Sequence, residues 1–437
     1  MPGDMHRNVE KPSHGEEVGS ALRIALLGYR SDPRSGGQGV YIRNLSRELT
    51  ALGHHVTVFS GPPYPDVDPG VVLVQVPSLE LYEAPGPFKN RSWAKIRSVT
   101  DVREFGLMFS GQFPEPRTFT DRVAARLKGR RDEFDIVHDN QSLGSGLLTL
   151  QRSGWPVIST IHHPLTVDLQ VAIEHIEDPR WLRSIKRWYS FLPMQMRVAS
   201  SLPVNLTVSE RSRTDIAEQM GVPSARLAVV PVGTDPATFR PTGGERIEGR
   251  LFTTASADVP LKGLVFLLEA LAKVRTERPD AHLVVLGRGA AYGPVAEAIE
   301  RFDITDAVRF VTGISDEALV QEYALAQVAV VPSLYEGFGL PVVEAMACGV
   351  PVVATTGGAL PEVVGPDGEA GLLVPPADAG ALAIAIGRVL ADPLLGARLG
   401  AAGRERVLAN FTWRRCAEST VRHYRETIAG SGRGSTV

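Results

Sequence analysis

Two glutamates are conspicuous because nothing around them is charged. In residues 328–354, VAVVPSLYEGFGLPVVEAMACGVPVVA, the only charges are Glu336 and Glu344, with seven residues between them. An ionised carboxylate in so apolar a stretch is costly unless a ligand or partner needs it. Carboxylates accept hydrogen bonds and can grip neighbouring hydroxyls, so the pair suits a hydroxyl-rich ligand. Gly337 and Gly339 let a ligand approach the backbone closely, and Pro341 opens a helix that sets Glu344 one turn in, facing the same mouth. The plainer alternative is a helix-capping acid followed by an incidental glutamate.

Other candidates sit in loops after apolar runs. Gly36, Gly37 and Gly39 in SGGQG open a helix, where bare amides and the positive end of the dipole can face a phosphate. Their spacing is not a full dinucleotide fingerprint. Lys262, in PLKGL just before a helix start, can neutralise a diphosphate or be a solvated surface lysine. His138 follows DIV, and His162 with His163 follows VIST; a neutral imidazole there could donate to a sugar hydroxyl or a leaving phosphate, or simply pack. Asp66 and Asp68 form a D-x-D pair inside GPPYPDVDPG, which reads as a plain turn. No metal site is expected, since His162-His163 is not a helical metal pair and Cys348 and Cys416 lie far apart.

The elements that must position these groups are short apolar runs at 22–27, 55–60, 71–76, 135–139, 156–161 and 204–208. A second series follows at 251–255, 282–286, 307–311, 328–331 and 351–354. Their unbroken apolar character suits strands buried on both faces, and helical patterns at 40–52, 264–275, 295–302 and 316–326 alternate with them. Alternation of this kind predicts parallel sheets covered by helices. The turn-rich residues 231–249 divide the series, so the fold class is α/β with two doubly wound, Rossmann-like domains. The expected division is a disordered tail at 1–20, an N-terminal domain at 21–232, a C-terminal domain at 233–410, and a helix at 411–429 that crosses back. In open parallel sheets, ligands bind outside the carboxyl ends of the strands, where the candidate loops lie.

Composition narrows the classes. With 437 residues, 43 % hydrophobic and 22 % charged, the chain is an ordinary globular protein, too long for one core and too poor in cysteine for a disulfide scaffold. A net charge of -3 argues against nucleic acid as a partner. That charge is a cancellation: residues 21–232 sum to +4 and residues 233–437 to -5. The polar N-terminus has no apolar signal core, and residues 328–354 are broken by Pro and Gly, so a cytoplasmic location is expected.

The chain resembles retaining glycosyltransferases of the GT-B fold, in the large group 1 class of glycosyltransferase family 4. The resemblance covers about residues 22–428 and is carried by SGGQGVYIRNLSRELTALGHHV, STIHH, TVSERSRTDIAEQMGVPSARLAVVPVGTDPATFRP, PLKGL and VPSLYEGFGLPVVEAMACGVPVVAT. It implies a catalytic role for Glu336 at the transferred sugar, with His162 beside it. Donor-binding roles fall to Gly37 and Lys262 at the diphosphate, to the amides of Phe338, Gly339 and Leu340, and to Glu344 at the ribose. It implies no cofactor and no metal, with a nucleotide-diphosphate sugar as co-substrate and UDP-glucose as the default. One departure is Ala257, where the family usually carries an arginine five residues before the donor lysine. Arg288, after HLVVLG, is the cation proposed to compensate.

The acceptor is unidentified and is expected on the N-terminal domain, with His138 as one acceptor-side candidate. Residues 80–131, with eleven basic against six acidic groups, read as an acceptor-side insertion suited to a lipid or phosphorylated acceptor. In PRWLRSIKRWYSFLP, a helical projection puts Trp181, Leu182, Ile185, Trp188, Tyr189 and Leu192 on one arc, opposite Arg180, Arg183, Lys186 and Arg187. Such a helix suits peripheral contact with an anionic membrane, with Lys186 and Arg187 on the acceptor side, unless the arc packs on the protein. The function expected is therefore retaining hexosyl transfer. A phosphorylase or epimerase of the same fold, or a sugar-nucleotide binding protein without turnover, are the alternatives.

Overall fold

The computed structural model describes residues 20–32, 37–81, 92–174, 176 and 178–432. The expected tail at 1–20, save Ser20, lies outside the described residues, as do Gly36 and residues 82–91 of the basic stretch. The first sheet contains β1 (Arg23–Gly28), β2 (His55–Ser60), β3 (Val72–Gln75), β4 (Ile136–Asn140), β5 (Val157–Ile161), β6 (Asn205–Thr207) and β7 (Leu227–Val229). The second contains β8 (Arg250–Thr254), β9 (His282–Leu286), β10 (Val308–Val311), β11 (Val328–Val331), β12 (Val352–Thr355) and β13 (Leu372–Val374). Their spatial orders are β3-β2-β1-β4-β5-β6-β7 and β10-β9-β8-β11-β12-β13. Every pairing is parallel.

Burial explains why the strands are mostly apolar. Central strands β4, β5, β11 and β12 are buried at every residue, because helices cover both faces, whereas edge strands β3 and β10 are partly exposed. β7 and β13 fall outside the predicted runs. Each is only three residues long, too short for a periodicity to register.

Two expectations change. Much of the supposed insertion at 80–131 is the crossover from β3 to β4, whose helix Glu115–Leu127 buries Phe119, Val123 and Leu127 in the first core. The basic helix ends at Trp188, and Leu192 begins a separate helix, Leu192–Ser201, with a proline in its first turn. Pro193 cannot sit inside a continuing helix, so the projected arc is cut short.

The two connections between the lobes lie side by side. Thr234 pairs with Thr412 in an isolated bridge, with Thr234 N donating to Phe411 O (3.0 Å) and Trp413 N donating to Thr234 O (3.2 Å). A Cβ on Gly233 would lie 2.4 Å from the Phe411 carbonyl carbon, so the connections touch backbone to backbone. Beyond them the last helix, Trp413–Gly432, packs on the first lobe. Its Tyr424 hydroxyl meets His138 Nδ1 at 2.6 Å, and the Trp413 ring meets Tyr41 edge-on at 5.9 Å.

Candidate active site

Each sheet reverses its order beside its first strand, between β1 and β4 and between β8 and β11, and the candidate loops leave the carboxyl ends of the strands there. Lys262 follows β8, and Glu336 follows β11. Gly263 joins these loops: its φ is +64° and an added Cβ would lie 2.1 Å from Pro332 O, so only glycine allows the approach. Lys262 Nζ consequently lies 2.7 Å from Glu336 Oε1, which also accepts from Ser333 Oγ at 2.7 Å.

Gly339, at φ +104°, precedes the helix Leu340–Ala347, while Phe338 is buried edge-on against Phe411 at 5.6 Å. The amides of Phe338, Gly339 and Leu340 thus stand at a helix N-terminus, where no intrahelical acceptor exists. Glu344, in the second turn, accepts from the Tyr323 hydroxyl at 3.1 Å. Burial raises its carboxyl to about 7 against the opposing pull of that bond, and Asp316 adds to the rise.

The first lobe brings His162 to the same place. A Cβ on Gly337 would meet His162 O at 2.9 Å and His163 Cβ at 3.3 Å, so the Glu336 loop touches the segment after β5. His162 Nε2 bonds Asn140 Oδ1 at 2.7 Å, and Asn140 Nδ2 is directed to Gln38 O at 3.3 Å, which fixes the amide. Nε2 is therefore the protonated nitrogen, already engaged by Asn140, and Nδ1 is left as a hydrogen-bond acceptor, whereas the sequence reading had the ring as a donor. Burial, with His163 nearby, lowers its pKa to about 3, so it is neutral at ordinary pH. Gly37 begins the helix Gly37–Ala51, and an added Cβ would meet nothing within 4 Å among the described residues. Gly39 is the position the fold itself demands, since a Cβ there would lie 1.8 Å from Asp32 O.

Four candidates stand apart. His138 is fully buried and both ring nitrogens are engaged, by Tyr424 and by Thr160 Oγ1 at 2.7 Å, so it joins the last helix to the sheet and does not face an acceptor. Arg288 lies beside the departure point, its carbonyl accepting from Ala257 N at 2.9 Å, but its guanidinium is three-quarters exposed and paired with Asp258 at 2.6 Å. Lys186 and Arg187 are on the surface helix Pro179–Trp188, where Arg187 reaches Ser110 O at 3.4 Å. Trp188 of that helix stacks on Phe113 at 5.3 Å, while Trp181 is exposed. Among the described residues, no group of three acids, histidines or cysteines could hold a metal, and no single helix is long and apolar enough to cross a membrane.

Sequence reading missed Tyr323, Ser333, Asn140 and Gln141, the last of which accepts from His162 N at 2.7 Å. Ser333 bonds Glu336 three positions on in the same loop, while the partners of the other three come from other strands and helices, where no local pattern signals them.

Two Rossmann-like lobes with paired ligand loops at their switch points are the architecture of GT-B glycosyltransferases. Residues 35–238 match the description Glycosyltransferase Family 4, and residues 238–406 match Glycosyl transferases group 1. An MMP alpha-(1->4)-mannosyltransferase of Mycolicibacterium hassiacum is 48 % identical over 93 % of this chain and 99 % of its own. A GDP-mannose-dependent alpha-(1-6)-phosphatidylinositol monomannoside mannosyltransferase of Mycolicibacterium smegmatis is 35 % identical over 52 % of this chain and 64 % of its own. Among solved structures, a sucrose-phosphate synthase from Thermosynechococcus elongatus superposes with a TM-score of 0.71 at 27 % identity, over 94 % of this chain and all of that one. The chain belongs to glycosyltransferase family 4. UDP-glucose is not supported as donor, because the relative matched at 48 % along nearly the whole chain is named a mannosyltransferase.

Proposed function

We propose that the protein is a retaining mannosyltransferase that uses GDP-mannose and forms an α-(1→4) linkage to a saccharide acceptor. The observation that carries this is the Lys262–Glu336 pair beside the Leu340–Ala347 helix N-terminus, in a chain 48 % identical to an α-(1→4)-mannosyltransferase. The relative from Mycolicibacterium smegmatis supports the guanine nucleotide by its name.

In this reading Lys262 swings from Glu336 to the donor diphosphate, assisted by the amides of 338–340, Gly37 across the cleft, and Arg288 near Ala257. Glu336, freed from the lysine, holds the mannose, His162 Nδ1 accepts from one of its hydroxyls, and Glu344 holds the ribose. As the anomeric C–O bond breaks, the leaving diphosphate takes its electron pair. It also accepts the acceptor hydroxyl proton on the same face, so the α configuration is kept. Positive groups fixed before the reaction stabilise the charge that develops.

The test is a donor panel with a free mannoside acceptor. GDP release from GDP-mannose only when acceptor is present supports transfer. A higher kcat/KM with UDP-glucose overturns the donor, release of a sugar phosphate points to a phosphorylase, and tight donor binding without turnover points to a binding protein. Peripheral contact with anionic lipid belongs to the same proposal and rests on exposed Trp181 beside Arg180, Arg183 and Lys186. Vesicle flotation that is unchanged by reversing the charges of Lys186 and Arg187 refutes it.

A further inference from the structure

We propose that the first lobe's helix Glu210–Met220 positions Glu336, by gripping the residue on either side of it. The Tyr335 hydroxyl donates to Asp215 Oδ2 at 2.7 Å. The Gly337 carbonyl accepts from Ser209 Oγ at 2.7 Å and from Ser212 Oγ at 3.0 Å. Asp215 is only 2 % exposed and also accepts from Arg211 Nε at 3.0 Å, so it is held before Tyr335 arrives. Burial and the Asp215 carboxylate push the Tyr335 hydroxyl up, which keeps it a donor at any working pH.

The grip is reciprocal. Glu362, from the second lobe's short helix Leu360–Val364, accepts from the amides of Glu210 (2.9 Å) and Arg211 (2.7 Å), filling the N-terminal turn of the first lobe's helix with a carboxylate. Just before that short helix, Ala359 N donates to the Glu336 carbonyl at 2.9 Å. Residue 336 is thus held through its own backbone by its own lobe, and through its neighbours by the other lobe. The side chain's own partners, Lys262 and Ser333, both belong to the second lobe, so the first lobe acts on Glu336 through the Tyr335 hydroxyl and the Gly337 carbonyl. Lobe docking and the setting of Glu336 are therefore one equilibrium, and Asp215, Tyr335, Ser209, Ser212 and Glu362 are positioning residues.

This rests on Glu336 contacting the transferred sugar, so the experiment reads loop order separately from transfer. In the full chain, Tyr335→Phe, Asp215→Asn and the double variant are compared by hydrogen exchange of residues 333–340, by kcat for transfer, and by affinity for GDP, which has no sugar. We expect faster exchange in that segment in each variant. We also expect kcat to fall about tenfold with GDP affinity within about twofold, since a small misplacement at the reacting centre lowers rate far more than binding. The double variant should be no worse than the poorer single, as for two members of one contact. Unchanged exchange and kcat overturn the proposal, as do losses that multiply in the double variant or fall equally on GDP affinity. Should Asp215→Asn fail to fold, Ser212→Ala, which removes one of the two donors to the Gly337 carbonyl, takes its place as a single variant, with faster exchange of residues 333–340 and lower kcat expected and GDP affinity kept. A wild-type chain that does not transfer mannose refutes the mannosyltransferase reading, while the exchange data still decide the grip.

Discussion

At the residue scale, Glu344 sets a pH dependence. Its carboxyl is raised to about 7 by burial, so half of the free protein carries it protonated near neutrality. Only the ionised form accepts from both hydroxyls of a ribose. Donor affinity should therefore rise about tenfold between pH 6 and pH 8, as the competent fraction grows, and then level off. Calorimetric titration with GDP checks this, and Glu344→Gln should flatten the profile. The same group acts on stability with the opposite sign. The unfolded chain releases this proton above its ordinary 4.5 while the fold keeps it, so the contribution to stability is lost as pH climbs from there to about 7. Glu336 and Glu344 were legible in the sequence because an acid in an apolar run demands a reason. Tyr323, which donates to Glu344 from a helix 21 positions upstream, left no such mark.

At the scale of elements, two glycines in one helix start separate folding from binding. Gly39 lies against the Asp32 carbonyl and has no room for a methyl group, whereas Gly37 has open space around it. Gly39→Ala should displace the start of the helix Gly37–Ala51 and destabilise the first lobe by about 1–3 kcal/mol. Gly37→Ala should leave the urea midpoint unchanged and, on the donor role proposed for Gly37, weaken donor binding. Equal midpoints for the two variants refute the distinction. The glycine cluster was legible as a turn into a helix; which glycine serves the fold was not, since that depends on Gly39 coming against the Asp32 carbonyl. The longer strands were equally legible, as mostly apolar runs with largely buried residues. The basic helix was read one turn too far, because a projection carries no record of where Pro193 starts a new helix.

At the scale of the whole molecule, the last helix closes the first lobe. Its Tyr424, with His138, Thr160 and Tyr41, forms a buried hydrogen-bonded chain from the last helix through β4 and β5 to the first helix. Tyr424→Phe leaves a buried ring nitrogen unpaired, a cost of about 1–3 kcal/mol. It should lower the denaturation midpoint while kcat at low temperature stays near wild type, and an unchanged midpoint would sink the assignment. His138 looked like a ligand-facing strand-end residue because its partner lies 286 positions away. The grip on residues 335 and 337 was hidden for the same reason, its partners being more than a hundred positions off. The side-by-side connections at Thr234 and Thr412 carry a mechanical consequence. Two strips of backbone bonded to each other at Thr234 and Thr412 move together, so any swing of one lobe against the other is expected to turn about that pairing. Angular motion there grows with distance from that axis. A few degrees at Thr234 would therefore move the parts of the second lobe farthest from that pairing the most.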